Sequence, residues 1–252
     1  MFIVNYDYYS INNNSEGSSN LPRRDYKLIK IVELGSKYKM NTEKLKELDQ
    51  ISLSIPCKSV LLGGFLGHGS LRIDSGYKNA RFVFKHSSIN KEYFYWKLLF
   101  LEEIAARTNK AVEKPTWGPH SKLRFQSKAC KDLTIMHKVI CRNNNIVVKR
   151  KWLNHMTSLS LAIWWMDRGS LIRNKTQGVI CTQKMTYADA LIVQQYLAAV
   201  WRINVTVTTD KRDRPRIYFN KSSLFTLFET IREFVPPFME HKLDLRWVPK
   251  EQ

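Results

Sequence analysis

At 252 residues the chain can bury one large core or two small ones, and 44% hydrophobic with 12% aromatic residues is the makeup of a globular protein. Its 41 basic against 22 acidic residues leave a net charge of +19, which points to a polyanionic partner. No apolar run approaches the roughly eighteen residues that a membrane-spanning helix needs.

The first stretch, "MFIVNYDYYSINNNSEG", has acids and no basic region before its apolar residues, unlike a secretory signal or an Arg-rich transit peptide. Residues 1–50 are expected to be an extension, polar and Asn/Ser-rich and then charged, with a short helix around 41–50. Cys57, Cys130, Cys141 and Cys181 show no CxxC spacing and no clustering with histidine, which predicts free thiols in a reducing compartment and no zinc site. Basic residues number 8 against 7 acidic in 1–50, 18 against 6 in 51–150 and 15 against 9 in 151–252. The excess therefore belongs to the folded body. Because it is not gathered on one amphipathic helix, nucleic acid suits it better than a membrane surface.

From residue 51 onward the elements come in a repeated order. "LLGGFLGHGSLRI", residues 61–73, reads as an apolar, glycine-rich helix followed by alternation. "SLRID" and "ARFVFKH" read as strands, "NKEYFYWKLLFLEEIAART" as a helix, "VEKPTWGPHS" as a Pro/Gly-broken piece, "KLRFQSK" as a strand and "CKDLTIMHKVI" as a short helix. "CRNNNIVVKRKWLNHMT" reads as a link to a second apolar helix, "LAIWWMDRGSLIR", which begins 100 positions after the first. "SLIRN" and "GVICTQKM" are then strands. "TYADALIVQQYLAAVWRI" is a helix whose Thr186 and Asp189 form a capping box. "NVTVTTDKRDRPRIYFNK" is a hairpin, and "SLFTLFETIREFV" is a last helix stopped by Pro236 and Pro237. The expectation is an α+β fold made of one α-β-β-α-β-β-α unit used twice, with halves at 51–150 and 151–252.

Alternate strand residues share a face. That parity places Arg81 and Lys85 opposite Phe82 and Phe84, and Lys122, Arg124, Gln126 and Lys128 opposite Leu123 and Phe125. It likewise places Arg214, Arg216 and Tyr218 opposite Ile217 and Phe219. Polar-out alternation is ordinary for a half-exposed strand, but three strands with the same cationic bias favour a nucleic-acid-facing surface. Arg72 and Arg173, from the strands after each apolar helix, complete the candidate binding set. Trp117 and Trp247 are either packing residues or platforms for unpaired bases.

The paired motifs, the duplicated element order, and "SLSLAIWWMDRGS" together with "PPFMEHKL" resemble the single-chain, two-motif LAGLIDADG homing endonucleases and maturases over roughly residues 51–245. The resemblance implies two motif helices packed closely at a pseudo-two-fold axis, a role suited to Gly63, Gly64, Gly67 and Ala162. It also implies two four-stranded antiparallel sheets forming a saddle over nucleic acid. In the family the eighth motif position carries an acid on each helix, and the two carboxylates hold the divalent metal for strand cleavage. Here that position is His68 in one copy and Arg168 in the other. Asp167 survives one residue earlier, turned by about 100° on a helix, and so cannot simply substitute. Lys242 matches a family lysine near the active centre.

A magnesium site prefers carboxylate oxygens, and arginine suits a phosphate far better than a cation. The centre formed by His68, Arg168, Asp167 and Lys242 is therefore expected to be catalytically degenerate, with no metal and no cofactor. The expected function is nucleic-acid binding without cleavage. The target would be structured RNA in an organelle, most simply the mitochondrion: ribosomal RNA as a ribosome-associated component, or a group I intron as a maturase. The alternative is a duplex-DNA homing endonuclease with residual metal-dependent activity. The two-copy build predicts a monomer.

Overall fold

Two helices dominate the centre. Helix α2 (Ile55–Leu66) starts where the Ser54 hydroxyl accepts the Cys57 N–H, with Pro56 in its first turn. Helix α6 (Ser158–Arg168) starts with a reciprocal capping box between Thr157 and Ser160. Both are buried nearly all round, which is what their continuous apolar sequence requires. They pack on each other where Gly63 leaves no side chain: a Cβ there would lie 2.3 Å from the Ser160 carbonyl and 2.8 Å from Ile163 Cβ. Gly67 meets the second helix too, since a Cβ on it would fall 2.2 Å from Asp167 Oδ2. Gly64, expected to serve the same approach, instead faces Phe82 of its own sheet.

The structure, a computed structural model, describes residues 46–106, 112–114, 121–182 and 185–245. A short helix α1 (Lys46–Asp49) precedes α2; residues 41–45 of the expected N-terminal helix, like Trp117 and Trp247, lie outside the described residues. After α2 come β1 (Ser70–Arg72), β2 (Arg81–Ser87), α3 (Lys91–Leu99), β3 (Val112–Lys114), β4 (Lys122–Gln126) and α4 (Lys131–Ile140). After α6 come β7 (Gly169–Ile172), β8 (Gln177–Cys181), α7 (Tyr187–Tyr196), β9 (Val205–Thr209), β10 (Pro215–Phe219) and α8 (Lys221–Ile231). Each set of strands forms an antiparallel four-stranded sheet, in the orders β1-β2-β4-β3 and β7-β8-β10-β9. The identical order is the geometric signature of the duplication read from the sequence.

Several boundaries differ from the sequence reading. The supposed link holds a hairpin of β5 (Cys141–Arg142) and β6 (Asn145–Ile146), then a short helix α5 (Arg150–Leu153). Asn143 and Asn144 take the positive φ angles that its two-residue turn demands. Trp152 is fully buried there, so tertiary packing orders a segment whose polar sequence reads as a connector. The long helix expected after β2 ends at Leu99 and resumes as a 3₁₀ turn at Glu102–Ile104. The capping box on α7 is present as expected, and a π-helical turn, Leu197–Trp201, extends that helix. The helices cover one face of each sheet. Phe82, Phe84 and Leu123 line the buried side of the first, and Ile217 and Phe219 that of the second.

The candidate nucleic-acid interface and the centre between the motif helices

Strand register gathers most of the predicted binding residues on the outward face of the first sheet. Arg72 stands directly opposite Arg81, Lys85 opposite Arg124, and Ser87 opposite Lys122. Arg72, Lys85 and Lys122 are exposed; Arg81, Arg124 and Gln126 are half-buried. On the second sheet Arg216 and Tyr218 occupy the corresponding outward face, with Thr208 and Thr206 opposite them on β9. Three predicted residues lie elsewhere. Lys128 falls beyond the end of β4, where Ser127 bridges to Ala105 and the strand stops. Arg173 sits at positive φ in the β7–β8 turn, and Arg214 lies in the β9–β10 turn, where Asp210 accepts its Nε–H at 2.9 Å. Parity arguments assume an unbroken strand, and these three positions are where the strands end.

At the feet of the two motif helices, each C-terminal glycine carbonyl is covered by a cationic side chain. Arg168 Nε donates to the Gly67 carbonyl at 3.2 Å, reaching across from α6 to the cap of α2. Lys242 Nζ donates to the Gly169 carbonyl, the cap of α6, at 2.8 Å. Trp165 Nε1 returns a bond to the Lys242 carbonyl at 3.0 Å, which fixes the C-terminal 3₁₀ segment Pro237–Leu243 against the helix. A cation at a helix C-terminus is favourable because the last carbonyls carry partial negative charge. Partial burial pulls the Lys242 pKa down, and Asp167 opposes that pull.

Asp167 has turned inward, as the one-residue step on the helix requires. Its side chain is fully buried and ties the two motif copies together. Lys97 Nζ donates to both its oxygens at 3.1 Å, the Tyr93 hydroxyl donates to Oδ1 at 2.9 Å, and the His68 backbone N–H donates to Oδ2 at 3.0 Å. Burial alone would raise the carboxyl pKa, but Lys97, then His68 and His86, outweigh it and hold Asp167 well below the usual carboxylate range. It is an ionised partner of a buried ammonium.

His86, Lys97 and Tyr93 escaped the sequence reading, although signals for them exist. His86 shares strand parity with Phe82 and Phe84, and Lys97 interrupts the apolar run "YFYWKLLF". Burial, with Lys97 beside it, pushes the His86 pKa down to about 3, so its ring is neutral. His68 Nδ1 lies 3.7 Å from Asp167 Oδ1 and is buried without a hydrogen-bond partner. A cavity of about 250 Å³ opens here, lined by His68, His86, Asn90, His241 and Lys242 around Asp167.

The residues present do not fit the divalent cation of an acid-paired nuclease centre. Of the two acid positions one holds an imidazole and the other a guanidinium that already occupies the Gly67 carbonyl. His68, His86 and Asp167 do bring three ligand atoms within 4.8 Å of one another. Lys97 fills that space, contacting both Asp167 oxygens and lying 3.5 Å from His86 Nε2. The site's cations are side chains.

Comparison with known proteins places the chain in this family. Residues 58–227 match the model of the LAGLIDADG DNA endonuclease family. The cytochrome b mRNA maturase bI2 of Saccharomyces cerevisiae is 26% identical over 225 residues, covering 82% of this chain and 53% of that protein. This chain therefore spans about half of that relative. The DNA endonuclease I-ChuI of Chlamydomonas applanata is 24% identical over 212 residues, 77% of this chain and 96% of the other. The homing endonuclease I-WcaI, solved bound to its DNA recognition sequence, superposes with a TM-score of 0.70 at 21% identity, covering 85% of this chain and 97% of its own. Matched over two thirds of its length by the family model, and built of the same duplicated antiparallel sheets, the chain belongs to the LAGLIDADG DNA endonuclease family.

Proposed function

We propose that this chain binds nucleic acid across its paired sheets and does not cut it. The observation that carries this reading is the replacement of both acids at the motif feet: His68 stands at one, and Arg168 at the other donates to the Gly67 carbonyl. Two cationic side chains, Arg168 and Lys242, cover the helix ends, an arrangement that attracts a phosphate and repels a divalent metal. The favoured target is structured RNA, and the likeness to a protein named as an mRNA maturase supports it. A group I intron or ribosomal RNA in an organelle, the mitochondrion first, fits a basic surface freed from cleavage. The second reading, a DNA endonuclease, draws on the likeness to I-ChuI and on the survival of Asp167. The bidentate contact of Lys97 with that carboxylate weighs against it.

Two measurements test the reading. Nucleic acid that survives nuclease digestion of the protein purified from its own cells is sequenced; RNA from one intron or from the ribosome is expected, and protected duplex DNA would overturn the RNA assignment. Separately, the chain is incubated with supercoiled DNA and Mg²⁺ or Mn²⁺. No nicking is expected from the natural sequence, whereas His68→Asp with Arg168→Asp is expected to gain metal-dependent cutting. Metal-dependent nicking by the natural chain, unchanged by that double substitution, refutes the proposal.

A further inference from the structure

We infer that the two sheets, equal in topology, take unequal shares of a nucleic-acid target: the first neutralises phosphates, and the second contacts its ligand with uncharged or internally compensated groups. This rests on the nucleic-acid-binding reading above and adds a division of labour within it.

The first sheet's outward face carries Arg72, Arg81, Lys85, Lys122 and Arg124. Its register sets like charges directly opposite each other, Arg72 against Arg81, Lys85 against Arg124 and, at the strand edge, Lys114 against Lys122. Like charges in that position destabilise an antiparallel pair. Among the described residues this face has one ion pair, Arg72 with Asp74 at 3.8 Å, at its margin. Arg81 Nε and Arg124 Nε are buried with no hydrogen-bond partner. A folded protein ordinarily pairs such groups. Arg81 stacks on the Tyr77 ring at 4.0 Å and Arg124 Nη2 donates to Gln126, but neither they nor Lys85 and Lys122 meet an acid among the described residues. Four cations without a carboxylate partner form a surface that a string of phosphates would complete.

The second sheet differs at the equivalent positions. Arg216 is the one charged residue on the outward face of its paired strands, and it is compensated: Nη2 donates to Asp210 Oδ2 at 3.0 Å and Nη1 contacts Cys181 Sγ at 2.8 Å. Asp210 also holds Arg214 at 2.7 Å. These contacts keep the Asp210 carboxyl well below its usual range, chiefly through the Arg214 hydrogen bond, so the carboxylate is ionised at neutral pH. Around Arg216 stand Thr206, Thr208, Tyr218, Ser170 and Gln177, donors and acceptors with no charge. An arginine held in one orientation among hydroxyls suits directional hydrogen bonds to base edges or sugar hydroxyls better than phosphate neutralisation.

The test is the salt dependence of binding, measured for the full chain with bulk transfer RNA and with a random duplex DNA. Each phosphate neutralised contributes about 0.7–0.9 to the slope of log K against log salt. Lys85→Gln with Lys122→Gln, both at exposed positions, is expected to lower the slope by about 1.4–1.8 and so shrink the affinity lost between about 50 and 200 mM salt roughly tenfold. Arg216→Gln is expected to leave the slope unchanged, and Asp210→Asn to raise it by releasing Arg214 and Arg216. Equal drops from the first-sheet pair and from Arg216→Gln, in a chain that binds, overturn the division of labour and leave the binding reading standing. A natural chain that binds neither probe overturns both.

Discussion

Replacing Lys97 by methionine isolates the bond that joins the two motif copies. The substitution keeps the length and apolar stem of the side chain and removes its charge. Asp167 would retain the Tyr93 hydroxyl and the His68 N–H, but its ammonium partner, at 3.1 Å from both oxygens, would be gone from a site where neither side chain is exposed. Removing one member of a fully buried ion pair costs about 3–5 kcal/mol, a large part of a typical total of about 5–15 kcal/mol. For a body of this size each kcal/mol moves Tm by about 2–4 °C, so a fall of roughly 6–20 °C is expected. Urea unfolding at pH 7 reads the loss directly. The sign of the pH dependence provides a second readout. In the natural chain the depressed Asp167 pKa contributes stability that is present above pH 3.8 and lost as pH falls below it. Once Lys97 is gone, its pull on that pKa is lost, and the loss of stability below pH 3.8 is expected to shrink. Lys97→Met with Asp167→Asn leaves no buried charge and is expected to recover about 2 kcal/mol or more of the loss. A cost below about 1 kcal/mol for Lys97→Met alone would refute the network as a buried ion pair.

Two further outcomes follow from the same geometry. Gly63→Ala is expected to cost about 1–3 kcal/mol because its Cβ would overlap the Ser160 carbonyl at 2.3 Å, and backbone cannot rotate away. Gly64→Ala meets only Phe82 Cζ at 3.1 Å and gains up to about 1 kcal/mol of helix propensity; chemical denaturation of the two variants should therefore separate them, and equal losses would refute the close approach at Gly63. His86, neutral in the fold with a pKa of about 3 against 6.5 when free, contributes stability that is complete above pH 6.5 and lost as pH falls toward 3. Its slope is at most about 1.4 kcal/mol per pH unit. His86→Phe should flatten the stability profile across that window, and an unchanged profile would show that His86 is not desolvated.

Local sequence determined the repeating elements because their signals are short-range. Continuous apolar runs marked both motif helices, Thr186 with Asp189 marked the cap of α7, and strand parity sorted Arg81 and Lys85 from Phe82 and Phe84. The exchange of acids for His68 and Arg168 was also legible, since it needs only the motif and a count of positions. Parity failed at Lys128 and Arg214, and the strand expected to carry Arg173 stops at Ile172, because strand ends are set by long-range pairing and by turns at positive φ. Only the tertiary structure decided what fills the centre. Lys97 and Asp167 lie 70 positions apart, and although Lys97 interrupts an apolar run, nothing local says which carboxylate it will meet. The burial that makes their bond strong comes from packing the two copies together. The asymmetry of the sheets has the same origin: the sequence carries the charges, but register places Arg72 against Arg81 and brings Asp210 to Arg216.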